Sequence, residues 1–376
     1  MNDGIKRFIW QQDDWPHWRF DHERLAQPLA RVHQSQGRLL GRLQDLGIGL
    51  REQASLQVWT QDVLKTSEIE GETLNPDSVR SSLARRLGMD IGALAPADRN
   101  VEGVIDMVLD ATQQHASELT PQRLFGWHAA LFPTGYSGLA RIRVGAWRDD
   151  ALGPMQVVSG PLGRQKVHYE APPADSLAAG MSDFLRWFNS DQPLDPVIQA
   201  GLAHLWLVTL HPFDDGNGRI ARAVGDMALA RAERSTQRFY SVSAQLQRER
   251  RDYYDRLERT QRGTLEVTDW LEGFVGCLQR AIDGAEETLA AVLAKASFWQ
   301  RWAGTPMNER QIKLLNRLLD GFEGKLTSGK WAVIAKCSSD TALRDIHELL
   351  ARGVLMKSDA AGRSTSYALT PPGRGS

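Results

Sequence analysis

The residues best placed to do chemistry run without a gap: His211, Pro212, Phe213, Asp214, Asp215, Gly216, Asn217, Gly218, Arg219, Ile220, Ala221 and Arg222. An apolar helical pattern ends at Leu210, Pro212 and the Gly-Asn-Gly run force a loop, and a new helical pattern begins at about Arg219. The loop therefore sits at a helix N-terminus, where free N–H groups and the helix dipole favour an anion. Gly216 and Gly218 let the backbone approach a phosphate and take positive φ. Arg219 and Arg222, three apart, share one helix face and suit further phosphate oxygens. Asp215 offers a hard oxygen ligand for Mg²⁺. His211, at the loop entrance, carries a side chain whose ordinary pKa suits base work near neutral pH.

Other chemistries fit less well. The run lacks the lysine and Ser/Thr of a P-loop and the ligand spacing of an EF-hand. His211 and Asp215 could both ligate a transition metal, but no third strong ligand stands beside them. A lone histidine in a helix-loop-helix turn is usually a surface residue; the whole run is improbable on that reading.

The run resembles the signature of the Fic family, His-Pro-Phe-x-(Asp/Glu)-Gly-Asn-Gly-Arg-x-x-Arg, with every defined position filled. The resemblance implies a helical core that holds ATP with Mg²⁺ and transfers AMP to a hydroxyl side chain of a protein. By position, His211 would deprotonate the target hydroxyl and Asp215 would bind Mg²⁺. Gly216, Asn217 and Gly218 would cradle the α- and β-phosphates, Arg219 would hold the β-phosphate and Arg222 the γ-phosphate. Catalysis of this kind is mostly positioning and charge stabilisation.

Three further segments bear on that resemblance. Thr66-Ser67-Glu68-Ile69-Glu70-Gly71, an acidic helix end when taken alone, resembles the inhibitory (Ser/Thr)-x-x-x-Glu-(Gly/Asn) helix of the class with an N-terminal inhibitory helix, which marks Thr66, Glu70 and Gly71. The strand-like runs 155–159 and 166–169, on either side of Gly160-Pro161-Leu162-Gly163-Arg164, read as a β-hairpin. It occupies the place of the Fic flap, where Val157, Val158 and Ser159 could dock an extended target by main-chain hydrogen bonds; a purely structural hairpin is the other reading. Tyr253 and Tyr254 sit where Fic proteins often line the adenine pocket, although aromatic residues on a helix are more often core. Trp10, Trp15 and Trp18 read as core packing, and the opening from Phe8 to Pro16 also resembles the N-terminal domain found on such proteins.

The elements that must position these residues are mostly helical. Apolar residues recur at helical spacing over 50–65 and 79–87, with Asn75-Pro76 as N-cap and first-turn proline between them. Helical blocks are expected at 100–132, from Asp195-Pro196 to Leu210, at 219–234 and at 248–296. The fold class is mainly α: a Fic-type helical bundle with a β-hairpin flap, a helical N-terminal region and a C-terminal winged helix. The expected boundaries are 1–98 for the N-terminal region with the inhibitory helix, 99–297 for the catalytic core and 305–372 for the winged helix.

The composition sets outer bounds. Apolar content is 42%, charged content 24% and formal net charge -1, so no global field draws nucleic acid or an acidic membrane. Cys277 and Cys337 cannot build a disulfide framework, and a reducing cytoplasm is the expected compartment. The start, Met1 to Arg7, has no apolar run of signal-peptide length, and no stretch approaches a membrane span. From Thr305 onward there are eleven Lys and Arg against seven Asp and Glu. Ser338-Ser339-Asp340 can cap a helix on which Thr341, Arg344 and His347 share a face, with Gly362-Arg363 at a wing tip. That excess is too small to separate a DNA-binding winged helix from one used for protein contact or dimerisation. Two alternatives to the transferase remain: a DNA-binding regulator whose core senses nucleotide, and an enzyme that removes AMP, with Glu70 orienting a water. Self-modification stays open for the transferase.

Overall fold

The computed structural model describes residues 7–44, 47–89, 96, 98–151, 153–161, 163–319, 324–358 and 365–371. The start of the chain through Lys6, Leu162 in the flap turn, and Gly362 and Arg363 at the expected wing tip lie outside them. The chain is mainly α and divides into two compact units, Met1–Ala285 and Glu286–Ser376.

The first unit contains α1 (His22–Gln44), α2 (Ile48–Ile69), α3 (Pro76–Arg86), α4 (Arg99–Gln113), α5 (Pro121–Leu131), α6 (Ala174–Asn189), α7 (Pro196–Leu210), α8 (Asn217–Glu233), α9 (Val242–Arg248) and α10 (Arg250–Gln261). A longer helix, α11 (Thr268–Arg301), runs across the division of the chain. Nearly every side chain of α7 and most of those on α8 are buried, and the two pack on each other as the centre of the unit. A helix apolar on all sides belongs inside a core. α7 starts where the cap signal placed it: the Asp195 carboxylate accepts from the Val197 N–H at 2.8 Å, with Pro196 next. The same pairing, Thr120 then Pro121, divides the expected 100–132 helix into α4 and α5. α10 ends at Gln261 with Arg262 as its C-cap, and α11 begins only at Thr268, so the expected 248–296 run is also divided.

Among the described residues, the strands form three antiparallel pairs: β1 (Tyr136–Ser137) with β2 (Ala140–Arg141), β3 (Gln156–Ser159) with β4 (Lys166–Glu170), and β5 (Leu355–Lys357) with β6 (Tyr367–Leu369). The middle one is the expected flap. Val157 opposes Tyr169 and Ser159 opposes Lys166, with a register shift between Val157 and Val158. Its anchors lie in β4. Tyr169 donates to the Thr209 carbonyl at 2.6 Å, and Arg262 donates to the carbonyls of Val167 and His168 at 2.7 and 2.9 Å.

In the second unit α12 (Glu309–Leu319), α13 (Ser328–Ala335) and α14 (Ser339–Ala351) precede the β5–β6 hairpin. Leu314, Leu315, Trp331, Ile346, Leu349 and Val354 form its core. Ser338 Oγ caps α14 by accepting from the Thr341 N–H at 3.2 Å, and Arg344 and His347 are exposed on that helix. Among the described residues, no helix is long and apolar enough to cross a membrane.

Candidate functional site

The site lies between the end of α7 and the start of α8. His211 caps α7 in the left-handed conformation, with φ 50° and ψ 58°. That geometry ends the helix abruptly, and for a residue other than glycine it costs on the order of 1 kcal/mol. Five residues later Gly216 caps α8 at φ 78°, where an added Cβ would lie 2.9 Å from the Phe132 ring, so glycine answers both the backbone and the space. Asn217 closes the loop from within. Its amide donates to the Phe213 carbonyl at 2.7 Å and its oxygen accepts from the Phe213 N–H at 2.9 Å. The Asn217 side chain is thus spent on the loop, and any phosphate contact from this residue would come from its backbone N–H.

His211 is half-buried, and its Nδ1 lies 3.2 Å from the Val208 carbonyl. That bond places the proton on Nδ1 and leaves Nε2 as the basic nitrogen. Burial holds the imidazole pKa below its ordinary value. The Arg148 charge pushes the same way, while the Val208 bond, Glu70 and Asp215 push upward. The histidine is therefore neutral, and able to take a proton, at pH 7. Asp215 Oδ1 accepts from the Gly216 N–H at 2.6 Å, and Oδ2 accepts from the Ser137 hydroxyl. Asp214 instead accepts from the Arg143 N–H at 2.7 Å.

Both signature arginines are buried, and carboxylates hold both. Arg222 donates through Nε to Thr66 Oγ1 and through a terminal nitrogen to the Thr66 carbonyl, each at 2.8 Å, and that same nitrogen pairs with Glu70 Oε1 at 2.8 Å. Burial disfavours the charge of Arg222, but Glu70 together with Tyr253 and Tyr254 outweighs it, and the net direction of the pKa is upward. Arg219 donates to Glu72 Oε2 at 2.7 Å, with its guanidinium 5.1 Å above the Phe132 ring. Gly71, at φ 87°, turns the chain between the two acids. Glu70 lies so close to Gly218 that a Cβ there would stand 2.1 Å from its Oε1. Arg219 Nε and Arg222 Nη1 remain buried with no partner among the described residues. Two guanidinium groups with unmet N–H donors, at a glycine-lined helix N-terminus, fit an anion carrying several oxygens.

Residues 118–229 match the Fic/DOC family model. They are a Fic domain. Residues 8–89, which include Thr66 to Glu72, match a separate domain of unknown function (DUF4172). Two relatives are named protein adenylyltransferase Fic. One, from Nematostella vectensis, is 36% identical over 120 residues, covering 31% of this chain and 26% of the relative. The other, from Drosophila yakuba, is 26% identical over 264 residues, covering 68% and 45%. The chain spans less than half the length of these curated relatives. Among solved structures, a Fic family protein from Desulfovibrio desulfuricans G20 aligns with TM-score 0.52 at 20% identity, covering 94% of this chain and 97% of that one. A Fic domain containing signaling protein from Bacteroides thetaiotaomicron VPI-5482 aligns with TM-score 0.53 at 19% identity, covering 71% and 97%. Both share the fold.

Within the Fic domain, β3 is exposed along its length, with Val157 and Val158 each 39% exposed. Ser159 and His168 hydrogen-bond at 2.6 Å, and His168 in turn bonds Glu258 of α10 at 2.6 Å, which ties the flap tip to a helix. Tyr253 and Tyr254 are adjacent but unlike. Tyr253 is buried, with its hydroxyl 2.9 Å from His204 Nε2, so its ring is packed into the core rather than open to a ligand. Tyr254 is 37% exposed beneath the Arg250 guanidinium. Four residues hydrogen-bonded to the loop or to the first turn of α8 escaped the motif reading: Glu72, Ser137, Arg143 and Arg148. Glu72 had a faint signal, an acid two places after Glu70 across a glycine; Ser137, Arg143 and Arg148 had none.

Proposed function

We propose that this chain transfers AMP from ATP to a hydroxyl side chain of a protein, and that Glu70, seconded by Glu72, holds the reaction in check. The observation that carries the reading is the pair of buried signature arginines, Arg219 and Arg222, occupied by carboxylates at a helix N-terminus built for phosphates. Gly216, Gly218 and the Asn217 backbone take the α- and β-phosphates, Arg219 the β-phosphate and Arg222 the γ-phosphate. His211 Nε2 accepts the proton of the target hydroxyl as its oxygen attacks the α-phosphorus, and pyrophosphate leaves. Tyr254 has the open ring face on which adenine can stack.

Asp215 fits Mg²⁺ only when it is shared with phosphates. It is a lone carboxylate beside the Ser137 hydroxyl, and among the described residues no cluster of three His, Cys, Asp or Glu could hold a metal. When bound there, Mg²⁺ supplies positive charge against the diphosphate. An extended target segment docks along β3. For residues 305–372 we propose a winged helix, with Thr341, Arg344 and His347 on its recognition face.

The test is incubation with α-labelled ATP and Mg²⁺, comparing the parent with Glu70→Gly, followed by mass spectrometry. Label on protein, rising strongly in Glu70→Gly, is the expected result. No label in either protein overturns the transferase.

A further inference from the structure

Arg148 is buried at 2% exposure directly beneath the catalytic loop. Its backbone N–H donates to the Pro212 carbonyl at 2.9 Å. Its guanidinium reaches three ways: Nε to the His211 carbonyl at 2.8 Å, one terminal nitrogen to the Pro172 carbonyl at 2.5 Å, and the other to Asp150 Oδ1 at 2.8 Å. The second oxygen of Asp150 accepts the Ala174 N–H at 2.7 Å, at the start of α6. One side chain thereby joins the end of α7, the residues after β4 and the first turn of α6.

We infer that Arg148 is a positioning residue for His211: it fixes the left-handed turn at that histidine and so aims the imidazole at the reacting hydroxyl. The carbonyl it holds belongs to the strained residue itself, and its backbone holds the next carbonyl, so the peptide planes on the far side of the turn cannot rotate. The Nδ1 contact with Val208 fixes the ring from the other side. No other described side chain donates to the His211 or Pro212 carbonyl. The planar fork of arginine is needed because the three acceptors lie in different directions, and a lysine nitrogen cannot serve them all. The charges that bear on the imidazole are Arg148, which disfavours its protonation, and Glu70 and Asp215, which favour it.

The consequence for rate rests on the transferase reading; the consequence for the imidazole does not. The comparison uses the full chain in a Glu70→Gly background, so that Glu70 is absent throughout, with Arg148→Met and Arg148→Lys added. Incorporation of α-labelled ATP gives kcat and the KM for ATP, and NMR titration follows the His211 imidazole. Arg148→Met is expected to lower kcat on the order of tenfold to a hundredfold, leave the KM for ATP within about twofold, and raise the His211 pKa, moving the acid limb of the rate profile upward with it. Arg148→Lys keeps the charge, so its acid limb stays near that of the parent while kcat still falls. Parental kcat with an unmoved His211 titration in Arg148→Met overturns the inference. So does a rise in KM for ATP with kcat intact, which describes a general loosening. Should Arg148→Met not fold, parental kcat in Arg148→Lys overturns it equally. If the Glu70→Gly protein itself moves no label, the transferase reading fails, and the His211 titration alone judges Arg148.

Discussion

At the scale of single residues, two acids hold the two arginines that we propose for phosphate, and their exposures rank them. Glu70 lies against Gly218 and pairs with Arg222 at 29% side-chain exposure, whereas the Glu72 carboxylate is 47% exposed and better screened. Glu70→Gly is therefore expected to raise AMP incorporation on the order of tenfold to a hundredfold, and Glu72→Ala on the order of severalfold. The double variant should exceed Glu70→Gly, because Arg219 is still held when only Glu70 is removed. Arg222→Ala should not activate, since the γ-phosphate loses its partner as well. A double variant no faster than Glu70→Gly would reduce Glu72 to a bystander. His211→Ala is expected to lose on the order of 10²–10⁴ in rate while keeping ATP, and calorimetry with ATP separates the two effects. Because burial keeps the His211 pKa below its usual value, the acid limb of the parent's rate should fall below the ordinary histidine range. Asp215→Ala should cost far more activity than Asp214→Ala, because Asp214 accepts from the Arg143 N–H while Asp215 sits at the cap of α8. Equal losses in the transfer assay would remove the metal role from Asp215.

At the scale of elements, glycines show where backbone meets backbone. Gly103 of α4 lies so close to α5 that an added Cβ would stand 1.8 Å from the Ala130 carbonyl oxygen. Gly103→Ala is expected to destabilise the protein by about 3 kcal/mol, read from the urea midpoint; an unchanged midpoint would mean that α4 and α5 pack less closely than this. Such contacts cannot be read from composition, and they show where the sequence is silent. α7 and the flap were legible because a cap-proline pair and paired strand patterns announce them. α1 escaped because Pro28, Gly37 and Gly41 interrupt its pattern, although Leu25, Val32, Leu39 and Leu43 keep the buried stripe. α6 likewise received no assignment, while Thr120-Pro121, overlooked inside an apolar stretch, divided an expected helix. At the site, each residue named from the loop lies on the loop or in the first turns of α8. The partners of its arginines were legible only in part: Glu70 through a short motif, Glu72 only faintly, because what brings it to Arg219 is the positive φ of Gly71 rather than any spacing along the chain.

At the scale of the whole molecule, buried histidines couple folding to pH. His204 lies in the core against Tyr253, and burial pushes its pKa down to about 3. His128 stacks on Phe213 at 4.3 Å and is pushed down to about 4. Each is neutral when folded and protonated when unfolded across the interval below the ordinary histidine value. The stability they contribute is thus present at pH 7 and lost as pH falls, by up to about 1.4 kcal/mol per pH unit for each group. Replacing His204 by Phe should flatten the dependence of the urea midpoint on pH between neutrality and about 4. An equally steep dependence in that variant would clear His204 of the effect. On the proposed function, the carboxylates lodged against α8 would extend the coupling to nucleotide. Glu70 and Glu72 close the α2 end of a stretch belonging to a different domain model from the loop they face. Linkage is reciprocal: whatever the contact subtracts from the affinity for ATP, bound ATP must subtract from the hold on residues 66–72. Saturating ATP should therefore speed amide hydrogen exchange at the end of α2 while slowing it at the start of α8, so that the nucleotide tightens one domain by loosening its neighbour.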